Sequence, residues 1–162
     1  MTSMNNLIAN PSAGELGNTK DFHQFTECNI NSEITSKMTD FVGRPVSIND
    51  GVVVPYNGSS FYGLVTNDVG LYGIGVETKS IIISQKGIRW GRSEDGLKNG
   101  DLVKITGTGA TAVFSKALPT EAKIAVGKAV DKTIIGNEGY TITKIAFNCD
   151  FITATNTEQP QA

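Results

Sequence analysis

From Phe41 to Ile152 the chain consists of short β-branched runs, each cut off by glycine or by an Asn/Asp turn. Val46, Ile48 and Val52–Val54 lie around Asn49-Asp50-Gly51, Asn57-Gly58 marks a further turn, and "FYGLVTND" ends at Asn67-Asp68. "GIGVETKSIII" carries β-branched residues to Ile83, and "KGIRWG" follows. Branched side chains are stiff at χ1 and pack well on a pleated surface, whereas glycine, Asn and Asp supply the backbone angles of tight turns. "DLVKIT" alternates Leu102/Lys104 against Val103/Ile105, and "GYTITKIAFN" alternates Tyr140, Ile142, Lys144 and Ala146 against Thr141, Thr143, Ile145 and Phe147. Period two is the signature of a strand. "LPTEA" at Leu118–Ala122 offers a helical turn at most. Turn signals spaced about eight to twelve residues apart predict an all-β domain, a small barrel or a sandwich.

Composition changes on either side of this region. Residues 1–40 are rich in Asn, Ser and Thr, with a weak alternation at Phe22, Gln24, Thr26, Cys28 and Ile30. They read as an extended N-terminal arm, with Phe22, Phe25 and Ile30 as apolar anchors for a neighbouring surface. Residues 41–152 read as the β domain, and the polar stretch 153–162 reads as a flexible tail. Within the domain two segments match. Gly43-Arg-Pro-Val46-Ser-Ile48 and Gly100-Asp-Leu-Val103-Lys-Ile105 share G-x-x-V-x-I, and Tyr62-Gly63-Leu-Val65-Thr parallels Val126-Gly127-Lys-Ala129-Val130. A duplicated unit and the common grammar of β hairpins both produce such a match.

The chain carries 14 basic and 16 acidic residues, a net charge of −2. A nucleic-acid partner is not expected, because phosphate binding needs a basic excess. Cys28 and Cys149 are far apart, belong to no CxxC pair and read as buried free thiols rather than a disulfide. With His23 as the sole histidine, a closed zinc site is one ligand short, so no metal is expected. "MTSMNNLIANPSAG" has neither the basic start nor the apolar core of a secretory signal. No apolar run approaches the roughly 20 residues of a membrane span, so no membrane partner is expected.

"VGKAVDKT" at Val126–Thr133 poses the nucleotide question. A phosphate loop needs a hydroxyl after the lysine and a helix behind it. Here Ala129 follows Gly127-Lys128, and the next residues are β-branched, so Gly127 reads as a bulge or a close backbone approach. "GIGV" at Gly73–Val76 has Thr78 in place of the third glycine of a dinucleotide fingerprint. A Ser–His–Asp site would have to use His23 from the arm, and Glu94-Asp95, Asp68 and Asp131 read as solvated or turn-capping residues. No catalytic residue and no cofactor are therefore expected. "QKGIRWGRSEDG" stands out. Arg89, Trp90 and Arg92 are of the types enriched at binding hot spots, and they read as a core Trp90 with exposed arginines available to a partner.

Three segments resemble the decoration, or cement, proteins of tailed-bacteriophage capsids. Gly100, Asp101, Val103 and Ile105 match a G-D-x-V-x-h strand (h is hydrophobic). Val126, Gly127, Ala129 and Val130 match h-G-x-A-h, and Ile142 to Phe147 match a closing strand. The match covers about a third of the chain, with a looser echo in Gly43–Asp68, and the long N-terminal arm is a departure from it. The resemblance implies a β-tulip-like or barrel body, often trimeric, that sits on the major capsid protein of a virion as a cement protein or the base of a head fibre, after synthesis in the host cytoplasm, without enzyme activity. A carbohydrate-binding or adhesin-type module is the alternative, with Trp90, Tyr56, Tyr62 and Tyr72 as stacking platforms.

Overall fold

A computed structural model describes residues 11–17, 23–67 and 80–149. Phe22, Asp68, Tyr72, the "GIGV" segment and the tail 153–162 lie outside the described residues. The protein is all-β: a largely antiparallel sheet curls into a half-barrel. The strands are β1 (His23–Glu27), β2 (Pro45–Asn49), β3 (Val52–Pro55), β4 (Gly63–Val65), β5 (Ile81–Arg92), β6 (Leu102–Thr106), β7 (Val113–Lys116), β8 (Gly127–Ala129), β9 (Ile134–Ile135) and β10 (Thr141–Asn148). Two short helices, α1 (Ser32–Ser36) and α2 (Met38–Phe41), join β1 to β2. Turns of 3-10 helix occupy Gly109–Thr111 and Pro119–Ile124, the second where the sequence allowed a turn. The main path of the sheet runs β3-β2-β4-β5-β10-β8-β6-β7, with β1 added to β5 and β9 to β10.

The matched sequence segments occupy matching places on this path. Val46 pairs with Gly63, and Val103 pairs with Gly127. Gly43 N donates to Val65 O and Gly100 N to Ala129 O, both at 2.8 Å. Tyr62 N donates to Val46 O at 2.9 Å and Val126 N to Val103 O at 2.8 Å. On the far side Leu64 faces Ser84 in β5, and Lys128 faces Ala146 in β10. Each outer hairpin ends at a parallel bridge, Ile30 to Val53 in the first half and Ser93 to Phe114 in the second. The halves are thus two lobes with one hydrogen-bond plan, meeting at the antiparallel ladder between β5 and β10. Two apolar clusters fill the molecule, and each draws on both halves. Val46, Val53, Val65 and Ile83 are joined by Ile142 in the first, and Val103, Phe114, Ala129 and Ile145 by Phe61 and Leu64 in the second.

Close approach explains the two strand glycines. A Cβ on Gly127 would lie 2.3 Å from the Ala146 carbonyl oxygen, and one on Gly63 would lie 2.9 Å from that of Ser84. Backbone stands where a side chain would go, so a phosphate is not needed to account for either residue.

The first forty residues differ from the extended arm that the sequence led us to expect. Their described part is built into the domain. Residues 24–27 of β1 pair with Ile81–Ser84 of β5, and residues 14–17 bond to the second half of β5. Ile34, Met38 and Phe41 are buried, and Phe25 and Ile30 pack against the same cluster rather than projecting to a neighbour. The helices that carry Ile34 and Met38 have five and four residues, too short to leave a periodic stripe in the sequence. Asn31 starts α1 by accepting the Glu33 amide at 2.8 Å on its side-chain oxygen, an N-cap. Cys28 also differs from expectation: it is exposed, whereas Cys149 is buried.

Gly127→Val forces the backbone of β8 away from β10, and overpacking of this kind costs about 1–3 kcal/mol. A urea midpoint equal to the parent's would show that the contact yields freely. Ile34→Ala removes a fully buried side chain and is expected to cost about 2–5 kcal/mol. Deletion of residues 1–40 uncovers that core and part of each edge of β5, so the remaining chain should lose its cooperative thermal transition. A soluble fragment with parental circular dichroism would show that the N-terminal segment is dispensable.

Candidate functional site

The segment Arg89-Trp90-Gly91-Arg92 ends β5, and its surroundings decide what it can do. Trp90 is 8% exposed and belongs to the first core cluster, as the sequence suggested. The arginines do not point to solvent. Arg89 is 0% and Arg92 5% exposed, which corrects the expectation of exposed, partner-ready guanidinium groups. Both hydrogen-bonding edges of this part of β5 are occupied. Ile142 to Phe147 pair along one edge. On the other, Gly14 N donates to Trp90 O at 2.6 Å, Trp90 N to Glu15 O at 2.9 Å, and Arg92 N to Gly43 O at 2.9 Å. Successive side chains leave a strand on opposite faces, and Arg89 and Trp90 are both buried, so this part of β5 meets water on neither face and an alternation read from sequence misplaces its residues.

Carbonyl groups and a ring receive the buried charges. Arg92 Nε donates to Val42 O at 2.8 Å and Nη2 to Thr39 O at 2.5 Å. Its guanidinium carbon lies 3.5 Å from the centroid of the Tyr140 ring, a cation–π contact. Arg89 Nη1 donates to Gly14 O at 3.2 Å, and Nη2 donates to Gln24 Oε1. Arg44 stands close to Arg92, donating from Nε to Asp40 O at 2.7 Å and from Nη1 to Ala112 O at 3.0 Å. Burial, and then the neighbouring Arg92 charge, hold Arg44 down at about 10, while Asp40 and Tyr140 act in the opposite direction. Burial likewise lowers Arg92, against the pull of Tyr140, Asp40 and Glu138. Guanidinium remains charged at neutral pH all the same. Two like charges are therefore held together by chain carbonyls from the α2–β2 junction and from residue 112, which ties the N-terminal segment to both lobes.

A second polar group lies nearby. Ser93 Oγ and Thr143 Oγ1 are 2.7 Å apart, and Thr143 Oγ1 and Thr133 Oγ1 2.8 Å. Thr133 Oγ1 also accepts the Leu97 amide at 3.0 Å. This hydroxyl chain links β5, β10 and the loop before β9. Hydroxyl and backbone groups bond along it, so it braces the interior between these elements.

The remaining sequence candidates disperse. His23 is exposed at the start of β1, its ring 6.1 Å from that of Phe25. Phe25 meets Tyr62 edge-on at 5.8 Å, and burial followed by the Glu27 charge pushes the Tyr62 phenol up. Tyr56 is half-buried, and burial raises its phenol too. Trp90, Tyr56 and Tyr62 thus do not form an open stacking platform. Among the described residues no group of three or more His, Cys, Asp or Glu side chains is placed to hold a metal ion, and no helix is long and apolar enough to cross a membrane.

Arg92→Ala leaves two inward-facing carbonyls without charge-assisted partners, each bond being worth about 1.5–3 kcal/mol. Stability is expected to fall by about 3 kcal/mol or more. Arg92→Lys should recover little of it, since a point charge cannot span both carbonyls. Chemical denaturation is the measurement, and an unchanged midpoint would return Arg92 to a partner-binding role.

No family model matches this chain, and no curated protein sequence is significantly similar to it.

Proposed function

We propose that the protein is a non-enzymatic virion component, a homotrimer that binds the major capsid protein on the outside of a tailed-phage capsid and stabilises the shell. One observation supports this reading beyond the sequence resemblance itself. The three resembling segments fall on β6, β8 and β10, which are neighbours in one sheet, and Gly127 meets both Val103 and Phe147. The motif is therefore a packed unit rather than three unrelated matches. The alternative carbohydrate-binding reading loses its main platform, because Trp90 is core.

Co-sedimentation with purified capsids of the phage that encodes the chain tests the proposal. Saturable binding and a raised melting temperature of the capsid are expected. Protein that remains in the supernatant at every concentration, with the capsid transition unmoved, would overturn it. Binding to a glycan array in the same preparation would favour the carbohydrate-binding module.

A further inference from the structure

Among the described residues the exposed large apolar side chains are Leu102 (38%), Leu118 (56%), Ile124 (57%) and Ile135 (56%). Three of them gather on the second lobe. Leu118 and Ile124 flank the 3-10 helix Pro119–Ile124, and Leu102 opens β6 beside it. The helix is fixed to that face. Glu121 Oε1 accepts the Leu118 amide at 3.0 Å, and Glu121 Oε2 pairs with Lys104 Nζ at 2.5 Å. The Lys104 hydrogen bond is the main cause of the lowered Glu121 carboxyl. Ala117 N donates to Leu102 O and Val126 N to Val103 O, both at 2.8 Å, so both ends of the helix are anchored on β6. Leu118 and Ile124 are held in place yet left uncovered.

Lysines predominate in the segment that carries this patch. Between residues 98 and 128 the chain has Lys98, Lys104, Lys116, Lys123 and Lys128 against only Asp101 and Glu121, which pair with Lys116 at 3.5 Å and with Lys104. Lys128 stands directly across from Leu102 in the ladder. The first lobe has the opposite charge. Described residues up to 67 carry two basic and five acidic side chains, whereas residues 80–149 carry ten basic and six acidic. Glu27, Glu33 and Asp50 come together at one end of the first lobe. Asn29 links them: its amide donates to Glu27 Oε1 and its Nδ2 to Gly51 O, both at 2.7 Å. Glu33 follows directly in the helix capped by Asn31.

We infer that the patch formed by Leu102, Leu118 and Ile124 is a head-to-tail interface for a second copy of this chain. The acidic end of one protomer's first lobe docks on the lysine-rich apolar face of the next protomer's second lobe. The occupant is a second copy because the chain itself supplies the complementary charge. Opposite fields steer and orient such an encounter, and burial of the apolar patch adds non-directional affinity. The two surfaces share no residue, so the contact is heterologous, and a heterologous contact closes a ring when its rotation allows. The inference depends on the proposed homotrimer and not on capsid binding.

Analytical ultracentrifugation of the full-length protein alone is the test. The parent is expected to sediment at a multiple of 17.2 kDa and to dissociate as salt is raised. Lys123→Glu with Lys128→Glu should weaken association about tenfold or more, and so should Glu27→Lys with Glu33→Lys. Combining all four changes reverses the sign of both surfaces and should restore assembly, an outcome that general damage would not produce. Ile124→Asn should give a folded monomer, its fold checked by circular dichroism. A monomeric parent would overturn both the self-association and the surface. An oligomeric parent whose charge variants keep its mass, or a four-fold variant that stays dissociated, would overturn the surface alone and leave the trimer in place.

Discussion

Occupancy of both edges of β5 is the constraint on which the rest of the molecule depends. A strand of twelve residues presents a long row of amide and carbonyl groups, and those that are buried need partners. One edge is taken by β1 and then by β10; the other by β4, then residues 14–17, then Gly43. Partners thus come from both lobes and from the N-terminal segment. Gly87 marks the handover between β1 and β10, at a φ of 129° that residues with a Cβ rarely adopt. With its edges covered, β5 also avoids the open rim that invites chain-to-chain sheet addition.

The buried arginines follow from the same arrangement. A guanidinium group removed from water needs several acceptors in a planar fork, and carbonyls at the ends of short helices supply them without adding negative charge. Val42, Thr39 and Asp40 offer such carbonyls to Arg92 and Arg44, so the α2 turn is held to β5 and β2 by charged contacts. Directional bonds of this kind fix one placement of the N-terminal segment where apolar packing alone would accept several.

Sequence pattern carried the strand positions, the equivalence of Gly43–Ile48 with Gly100–Ile105, and the reading of Gly127. All of these are local signals: alternation, turn chemistry and spacing. The incorporation of residues 14–17 and of β1 was not legible, because their partners lie many residues away in β5 and a polar strand looks like an arm until its edge-mate is known. Arg89 and Arg92 were misplaced for the same reason. Charge is a good guide to exposure only when one face of a strand meets water. The patch at Leu118 and Ile124 escaped notice because each is a single apolar residue in a polar loop, and only folding brings them beside Leu102.

A strand shared by two lobes has a mechanical consequence. Neither lobe has a complete boundary of its own, since the ladder that finishes one begins the other at Gly87. Local opening in either lobe frays the common strand and exposes the other's core, so the pair should behave as one cooperative unit rather than as two tandem modules. Strain delivered to one end through its surface loops would then be carried along a continuous hydrogen-bonded backbone to the far end, as along a beam with its fixings on both sides.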